Sequence, residues 1–228
     1  MVTLAIIPAR GGSKGVTRKN LRLINGISLL ERAIKSAATP LIDDILVSTE
    51  DIEIREAAIN CGASVPFQRP LEYASDEAAT VDVVMSAVSN YQNWSGRTVT
   101  TVVLLEPTSP FRTVSHVEAA LRLMAGGKYK SLVSVCPLDR KPQNIFEKTE
   151  FLTNYIRDPI DTFTRRQDMK HLCRINSAIY IFSWNDFRLT RKLLNNPLGW
   201  IDMNTEESIN IDTELDLKIS ELVAKELE

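Results

Sequence analysis

Residues 98–112 read TVTTVVLLEPTSPFR, from Thr98 to Arg112. The first eight are dense in β-branched and aliphatic side chains and do not alternate with polar ones. A strand of that kind is covered on both faces, as in the centre of a sheet layered between helices. The continuation is the opposite in character. Pro107 and Pro110 stiffen the strand's exit and hold Glu106, Thr108, Ser109 and Arg112 in fixed directions, which suits either substrate contact or a plain strand-to-helix transition.

Working outward, buried-strand and helix patterns alternate. Residues 3–8 form a first strand, followed after a basic loop by a helix that Ser28-Leu-Leu-Glu31 opens as a capping box. Residues 45–48 are a second strand, Asp51 caps a helix that stops at Gly62, residues 64–67 are a third short strand, and Thr80 opens a helix along Val81, Val84, Met85 and Val88. Beyond the central strand, Ser115-His-Val-Glu118 begins a helix that ends at Gly126-Gly127. Strands follow at 131–135 and 178–182, and Thr213-Glu-Leu-Asp216 caps a terminal helix along Leu215, Ile219, Leu222 and Val223. This order predicts an α/β fold, a three-layer α/β/α sandwich on a mostly parallel sheet, in a single domain over residues 1–228. Residues 137–172 break the order. They are polar and irregular and read as an excursion from the sheet: an arm, a lid or a dimer contact.

Composition narrows the classes. The 228 residues are 44% hydrophobic, enough to bury a core without staples, and 27 basic against 29 acidic residues leave a net charge of −2. Bulk charge therefore supports neither a nucleic-acid nor a membrane partner. Cys61, Cys136 and Cys173 are odd in number and unpatterned, as expected of reduced thiols. The N-terminal run lacks a basic leader and reads as a buried strand, so the expected location is cytoplasmic.

Against that neutral background, Arg10-Gly-Gly-Ser-Lys-Gly-Val-Thr-Arg-Lys-Asn20 carries two arginines, two lysines and no acid. Two unit charges ~4 Å apart cost about 4 kcal/mol at an effective dielectric of ~20, so an anion is expected there. Glycines at 11, 12 and 15 let backbone amides approach phosphate oxygens, and the loop leaves the first strand at its carboxyl end, where ligands of such sheets bind. Its spacing matches neither the dinucleotide fingerprint nor the P-loop. A third segment, Glu207-Ser-Ile-Asn-Ile-Asp-Thr213, sets Asp212 at a helix entry. Asp212 is then either an N-terminal cap or the carboxylate for a Mg²⁺, which takes one or two carboxylates plus substrate oxygens. Arg174-Ile-Asn176 before a strand, and Arg165 and Arg166 in the excursion, are further candidates for holding a carboxylate or hydroxyls. His116 and His171 have no nucleophile partner in a recognisable arrangement.

Taken together, IIPARGGSKGVTRKNL, QRPLEYASD, LLEPTSPFRT, RINSAIYI and SINIDTELDL resemble the acylneuraminate cytidylyltransferases, the CMP-sialic or CMP-nonulosonic acid synthetases of bacteria, in order over residues 4–220. The resemblance implies a Rossmann-like nucleotidyltransferase that joins CTP to a nine-carbon 2-keto sugar acid with Mg²⁺ as cofactor, giving a CMP-sugar and pyrophosphate. It implies that Arg10, Gly12, Ser13, Lys14, Lys19 and Asn20 hold the triphosphate, with Arg10 and Lys19 catalytic, and that Arg69 and Ser75, in the Ala74-Ser75-Asp76 turn, lie near the cytidine. Glu106, Thr108, Ser109, Arg166, Gln167, Arg174 and Asn176 would face the sugar acid. The excursion would be a small dimerisation arm closing over a partner's site. Two departures stand out. The family's I-D-I-D metal segment is Ile209-Asn210-Ile211-Asp212 here, leaving Asp212 to carry the metal beside Asn210. Glu106 stands where many relatives have Gln. The proton acceptor for the sugar hydroxyl is Asp212 through metal-bound water, ranked first, or Glu106.

Rival readings are a Kdo-type cytidylyltransferase and a non-catalytic CTP-binding regulator. A glycosyltransferase would want D-x-D, which the chain lacks, and an NAD-dependent oxidoreductase would want the dinucleotide fingerprint.

Overall fold

A computed structural model describes residues 1–75, 77–138, 146–148, 152–154 and 172–227. In chain order the elements are β1 (Val2–Pro8), β2 (Leu23–Ile24), β3 (Ile27–Ser28), α1 (Leu29–Ala37), β4 (Asp44–Ser48), α2 (Ile52–Asn60), α3 (Thr80–Ser95), β5 (Val99–Leu104), α4 (Val114–Ala125) and β6 (Ser131–Pro137). They continue with β7 (Phe146–Lys148), β8 (Leu152–Asn154), β9 (Cys173–Ser183), α5 (Trp184–Thr190), β10 (Leu198–Asp202) and α6 (Glu214–Leu227).

Six strands form one sheet in the order β10-β6-β9-β5-β1-β4. The β1/β4, β1/β5 and β6/β10 pairs are parallel, and β9 runs antiparallel between β5 and β6. Alternation along the two central strands builds both faces. Ala5, Ile7, Val103 and Leu105 join α1, α2 and α4 in one core, while Leu4, Ile6, Val102 and Leu104 join α3 and α5 in the other. The expected three-layer sandwich is therefore present. Because β4 and β5 flank β1 on opposite sides, the carboxyl ends of β1 and β5 mark a topological switch, the usual place for a crevice.

Several local expectations need correction. Residues 64–67 form no strand; Ser64 makes only an isolated bridge to Leu46. The cap of α4 is Thr113 with His116, not Ser115 with Glu118, and Glu118 instead accepts from Thr39 and Arg122. On α6 most of the anticipated face points outward: Leu215 and Leu222 are 65% and 64% exposed, only Val223 of that set packs against the core, and the buried positions are Leu217, Ser220 and Ala224. Small residues suffice there, because α6 lies against the basic loop's Val16 and against Ile24 and Ile211. Of the excursion at 137–172, the described part is chiefly an antiparallel pairing of β7 with β8. All three cysteines are free.

Candidate active site

The exits of β1 and β5 open on a cavity of about 570 Å³ lined by residues from all three chemistry-bearing segments. Arg10, Ser13, Lys14, Gly15, Lys19 and Asn20 come from the basic loop, Glu106, Pro107 and Thr108 from the loop after β5, and Asn210 and Asp212 from the segment before α6. Arg69 and Ser75 line it as well.

The loops are tied to one another by backbone. Ile211 N donates to Thr108 O at 2.8 Å, and Asn20 Nδ2 donates to Arg10 O at 2.9 Å. Lys19 Nζ donates to Ile211 O at 2.8 Å and lies 3.1 Å from Asp212 Oδ1. Gly15 is forced by contact: a Cβ built on it would sit 2.0 Å from the Asp212 carbonyl oxygen, so only glycine lets the loop approach this closely. Gly11 N donates to Glu50 Oε1 at 2.7 Å, which anchors the loop's start.

The loop is not without counter-charge, as its sequence suggested. Arg18 pairs with Asp51 and Glu53, carboxylates on or next to α2, and Lys19 pairs with Asp212. Acids more than thirty residues away in sequence carry this compensation. The cap reading of Asp212 also falls. Thr213 Oγ1 accepts from Asp216 N, and the Asp216 carboxylate accepts from the backbone N of Asp212 and of Thr213. The Asp212 carboxylate is thereby left to the cavity, where Asn210 Nδ2 donates to its Oδ2 at 2.9 Å. Asn210 Oδ1 is buried with no hydrogen-bond partner among the described residues. One carboxylate beside one amide oxygen suits a hard cation that draws its other ligands from phosphate and water. No group of three or more His, Cys, Asp or Glu among the described residues could cage a metal by itself.

Glu106 is the electrostatic oddity. Its carboxyl borders the cavity but is otherwise enclosed by protein, and burial pushes its pKa up to about 7 against the pull of Arg112, Arg69 and Lys19. Arg112, equally enclosed, is brought down to about 10 by burial. Its guanidinium does not face the cavity. It donates to Ser36 Oγ at 2.9 Å, Glu106 O at 3.1 Å and Ala178 O at 2.6 Å, bracing the loop from behind. Arg69, also lowered by burial, donates to Ser48 Oγ at 3.1 Å and to Ser48 O, and so fixes the wall on which Tyr73 and Ser75 stand.

Four sequence candidates fall outside the lining. Gly12 lies in the same loop with open space around a Cβ there, and Ser109 is buried with no partner for its hydroxyl among the described residues. Arg174 starts β9, and Asn176 is 2% exposed. The Asn176 amide accepts from Ser134 Oγ and donates to Ser208 Oγ at 2.8 Å, bracing a register shift between β6 and β9 rather than meeting a ligand. Arg166, Gln167 and Asp76 lie outside the described residues. Sequence reading missed Tyr73, Thr80, Ser177, Tyr180 and Leu193, which also line the cavity. Tyr73 lies inside the quoted QRPLEYASD run. Ser177 reaches the cavity from that irregular stretch of β9, with φ at +62°, and no residue type there announces it.

The chain is similar to known proteins over nearly its whole length. The family model described as cytidylyltransferase matches residues 4–213. The post-translational flagellin modification protein B of Campylobacter coli is 30% identical, over 98% of this chain and 95% of its own length. The CMP-N,N'-diacetyllegionaminic acid synthase of Legionella pneumophila is 31% identical, over 97% and 95%. A solved CMP:2-keto-3-deoxy-manno-octonic acid synthetase complexed with CTP superposes with a TM-score of 0.68 at 15% identity, covering 99% of this chain and all of that one, a likeness of fold alone.

Proposed function

The chain belongs to the cytidylyltransferase family, and from that premise we propose that it joins CTP to a nine-carbon 2-keto sugar acid of the sialic or legionaminic type, releasing pyrophosphate and a CMP-sugar. The observation that carries this reading is the convergence of a glycine-rich basic loop and the Asn210–Asp212 segment on one cavity, with Gly15 pressed against Asp212 and Lys19 bonded across to it.

In the proposed reaction the anomeric hydroxyl gives up its proton, toward Asp212 or Glu106, and its oxygen bonds to the α-phosphorus as the bond from that phosphorus to the bridging oxygen breaks and pyrophosphate leaves. Such transfers rest on positioning and charge stabilisation, so a protein nucleophile is not required. Arg10, Ser13, Lys14 and Asn20, which line the cavity, would bind the triphosphate, and Lys19 would stabilise charge on the departing pyrophosphate. Asp212 and Asn210 are the residues that would hold Mg²⁺, which when bound supplies a Lewis acid to the phosphate oxygens. Glu106 and Thr108, on the loop after β5, also line the cavity and would meet the sugar acid. We further propose a cytoplasmic homodimer formed through residues 137–172, with Arg166 and Gln167 reaching a sugar site. No helix among the described residues is long and apolar enough to cross a membrane.

The test is pyrophosphate release from CTP and Mg²⁺ with N-acetylneuraminate, legionaminate and Kdo in parallel. Release with a nine-carbon acid, and none with ATP or GTP, is expected. Release with Kdo alone would replace the substrate assignment, and CTP binding without release from any acid would point to the regulator reading.

A further inference from the structure

A second cavity, of about 210 Å³, is bordered by Pro110 and Arg112 of the segment that follows β5 and shares no lining residue with the first. It is lined by Arg32, Lys35 and Ser36 of α1, by Arg112, and by Thr113 and Val114, where α4 begins. Three cations line it and no carboxylate does.

Two independent features aim positive charge into this space. The first is Arg112, 4% exposed, whose Nε and Nη1 are spent on Ser36, Glu106 and Ala178. Its Nη2 makes no hydrogen bond within the described residues, yet is not sealed in protein, so it opens on the cavity that Arg112 lines. Facing the cavity, that N–H is free to donate to a ligand there, and an oxyanion gives it a charge-assisted bond. The second is the N-terminus of α4, a helix of 12 residues whose dipole directs partial positive charge to Thr113 and Val114. Lys35, already paired with Glu31 at 2.8 Å, stands at the mouth with its side chain 62% exposed. A helix start or a surface lysine alone would be commonplace. A buried guanidinium between them, with one N–H open to the same space, is a site with direction.

We propose that this cavity binds a small oxyanion, a phosphate or a carboxylate, and that its occupancy is coupled to the catalytic loop. Arg112 is the link. The guanidinium that would receive the anion holds the carbonyls of Glu106 and Ala178, and Glu106 and its neighbour Thr108 line the CTP cavity. An anion on Nη2 pulls on the guanidinium that holds those two carbonyls, and so bears on the position of the 106–112 loop. Coupling through a shared rigid element is reciprocal, so CTP and the anion alter each other's affinity. This goes beyond the nucleotidyl transfer proposed above, since neither the reaction nor its substrates require a second anion site.

The experiment is calorimetric titration of inorganic phosphate, and separately of acetate, into the full chain saturated with CTP, which blocks the first cavity. A phosphate isotherm of one site per chain in the millimolar range is expected, and the acetate arm distinguishes the two kinds of oxyanion. Lys35→Ala, outside the CTP cavity and solvent-exposed, should weaken that binding about fivefold through loss of one part-screened charge. Arg112→Lys, which keeps the charge but loses the fork, should abolish it. Thermal unfolding of each variant reports whether it folds. Should Arg112→Lys fail to fold, the Lys35→Ala result decides. CTP titrated with and without phosphate reads the coupling as a shift in CTP affinity. Absence of phosphate and acetate binding to the CTP-loaded protein, or binding indifferent to Lys35→Ala, overturns the proposal.

Discussion

Replacing Gly15 by alanine tests the proposed site with a single methyl group. The added Cβ would lie 2.0 Å from the carbonyl oxygen of Asp212 and 3.2 Å from its carbonyl carbon. The obstacle is backbone on an element anchored by Ile211 N to Thr108 O and by α6, so it cannot swing aside as a side-chain tip would. Ordinary contact needs about 3.3 Å, and the loop and the Asn210–Asp212 segment must separate by roughly 1 Å. Overpacking of this kind costs about 1–3 kcal/mol, and misplacing reacting groups by ~1 Å costs about 10²-fold in rate. Lys19, bonded to Ile211 O at 2.8 Å and to Asp212 at 3.1 Å, is drawn off both. The expected result is a fall of about two orders of magnitude in kcat for pyrophosphate release, with urea unfolding shifted by no more than ~3 kcal/mol. Gly12→Ala is the stability control, because a Cβ there meets nothing within 4 Å, and its unfolding midpoint should match the wild type. A Gly15→Ala enzyme that folds and turns over at the wild-type rate would refute the idea that the phosphate loop and Asp212 must touch.

Lys19→Ala and Asp212→Ala should each lower turnover by more than ~10-fold while far-ultraviolet circular dichroism stays native, since both side chains face the cavity rather than the core. Near-normal activity in either purified variant removes that residue's role. Asp212→Ala should also lose the Mg²⁺ dependence of CTP binding, read by calorimetry with and without the ion. Glu106 gives a pH signature. Its folded pKa, about 7, exceeds its ordinary value, so the folded state holds the proton longer and stability falls as pH rises from about 4.5 through 7. Glu106→Gln should therefore gain on the order of 2–3 kcal/mol over wild type at pH 8 and little at pH 4.5, in denaturant titrations at both values. An equal difference at the two pH values would contradict the buried, charge-averse setting. Asn176→Ala should cost about 2–4 kcal/mol by removing its buried hydrogen bonds with Ser134 and Ser208 and leaving a cavity, with the KM for the sugar acid unchanged; a raised KM at wild-type stability would return it to the substrate.

The order of strands and helices was legible because it follows from local signals: the unbroken apolar run at 98–105, caps at Ser28 and Asp51, and glycines at helix ends. The basic loop, the proline-stiffened exit and the Asn210–Asp212 segment were legible as chemistry for the same reason, each being a contiguous string with an unusual composition. The sequence by itself thus determined the layered fold, the family and half of the residues now found around the cavity. Which of them meet was decided only in three dimensions. Gly15 against Asp212 and Lys19 on Ile211 are contacts across nearly two hundred residues, and the left-handed Ser177 arises from a β-sheet irregularity that no residue type announces. Roles changed there too. Arg18 is neutralised by Asp51 and Glu53, Asp212 is relieved of capping by Asp216, and Arg112 and Asn176 face inward as braces. A residue's type fixes what it can donate, accept or bury; only the packing of the chain around it fixes what it faces, because burial and partners are properties of position in space and not of neighbours in sequence.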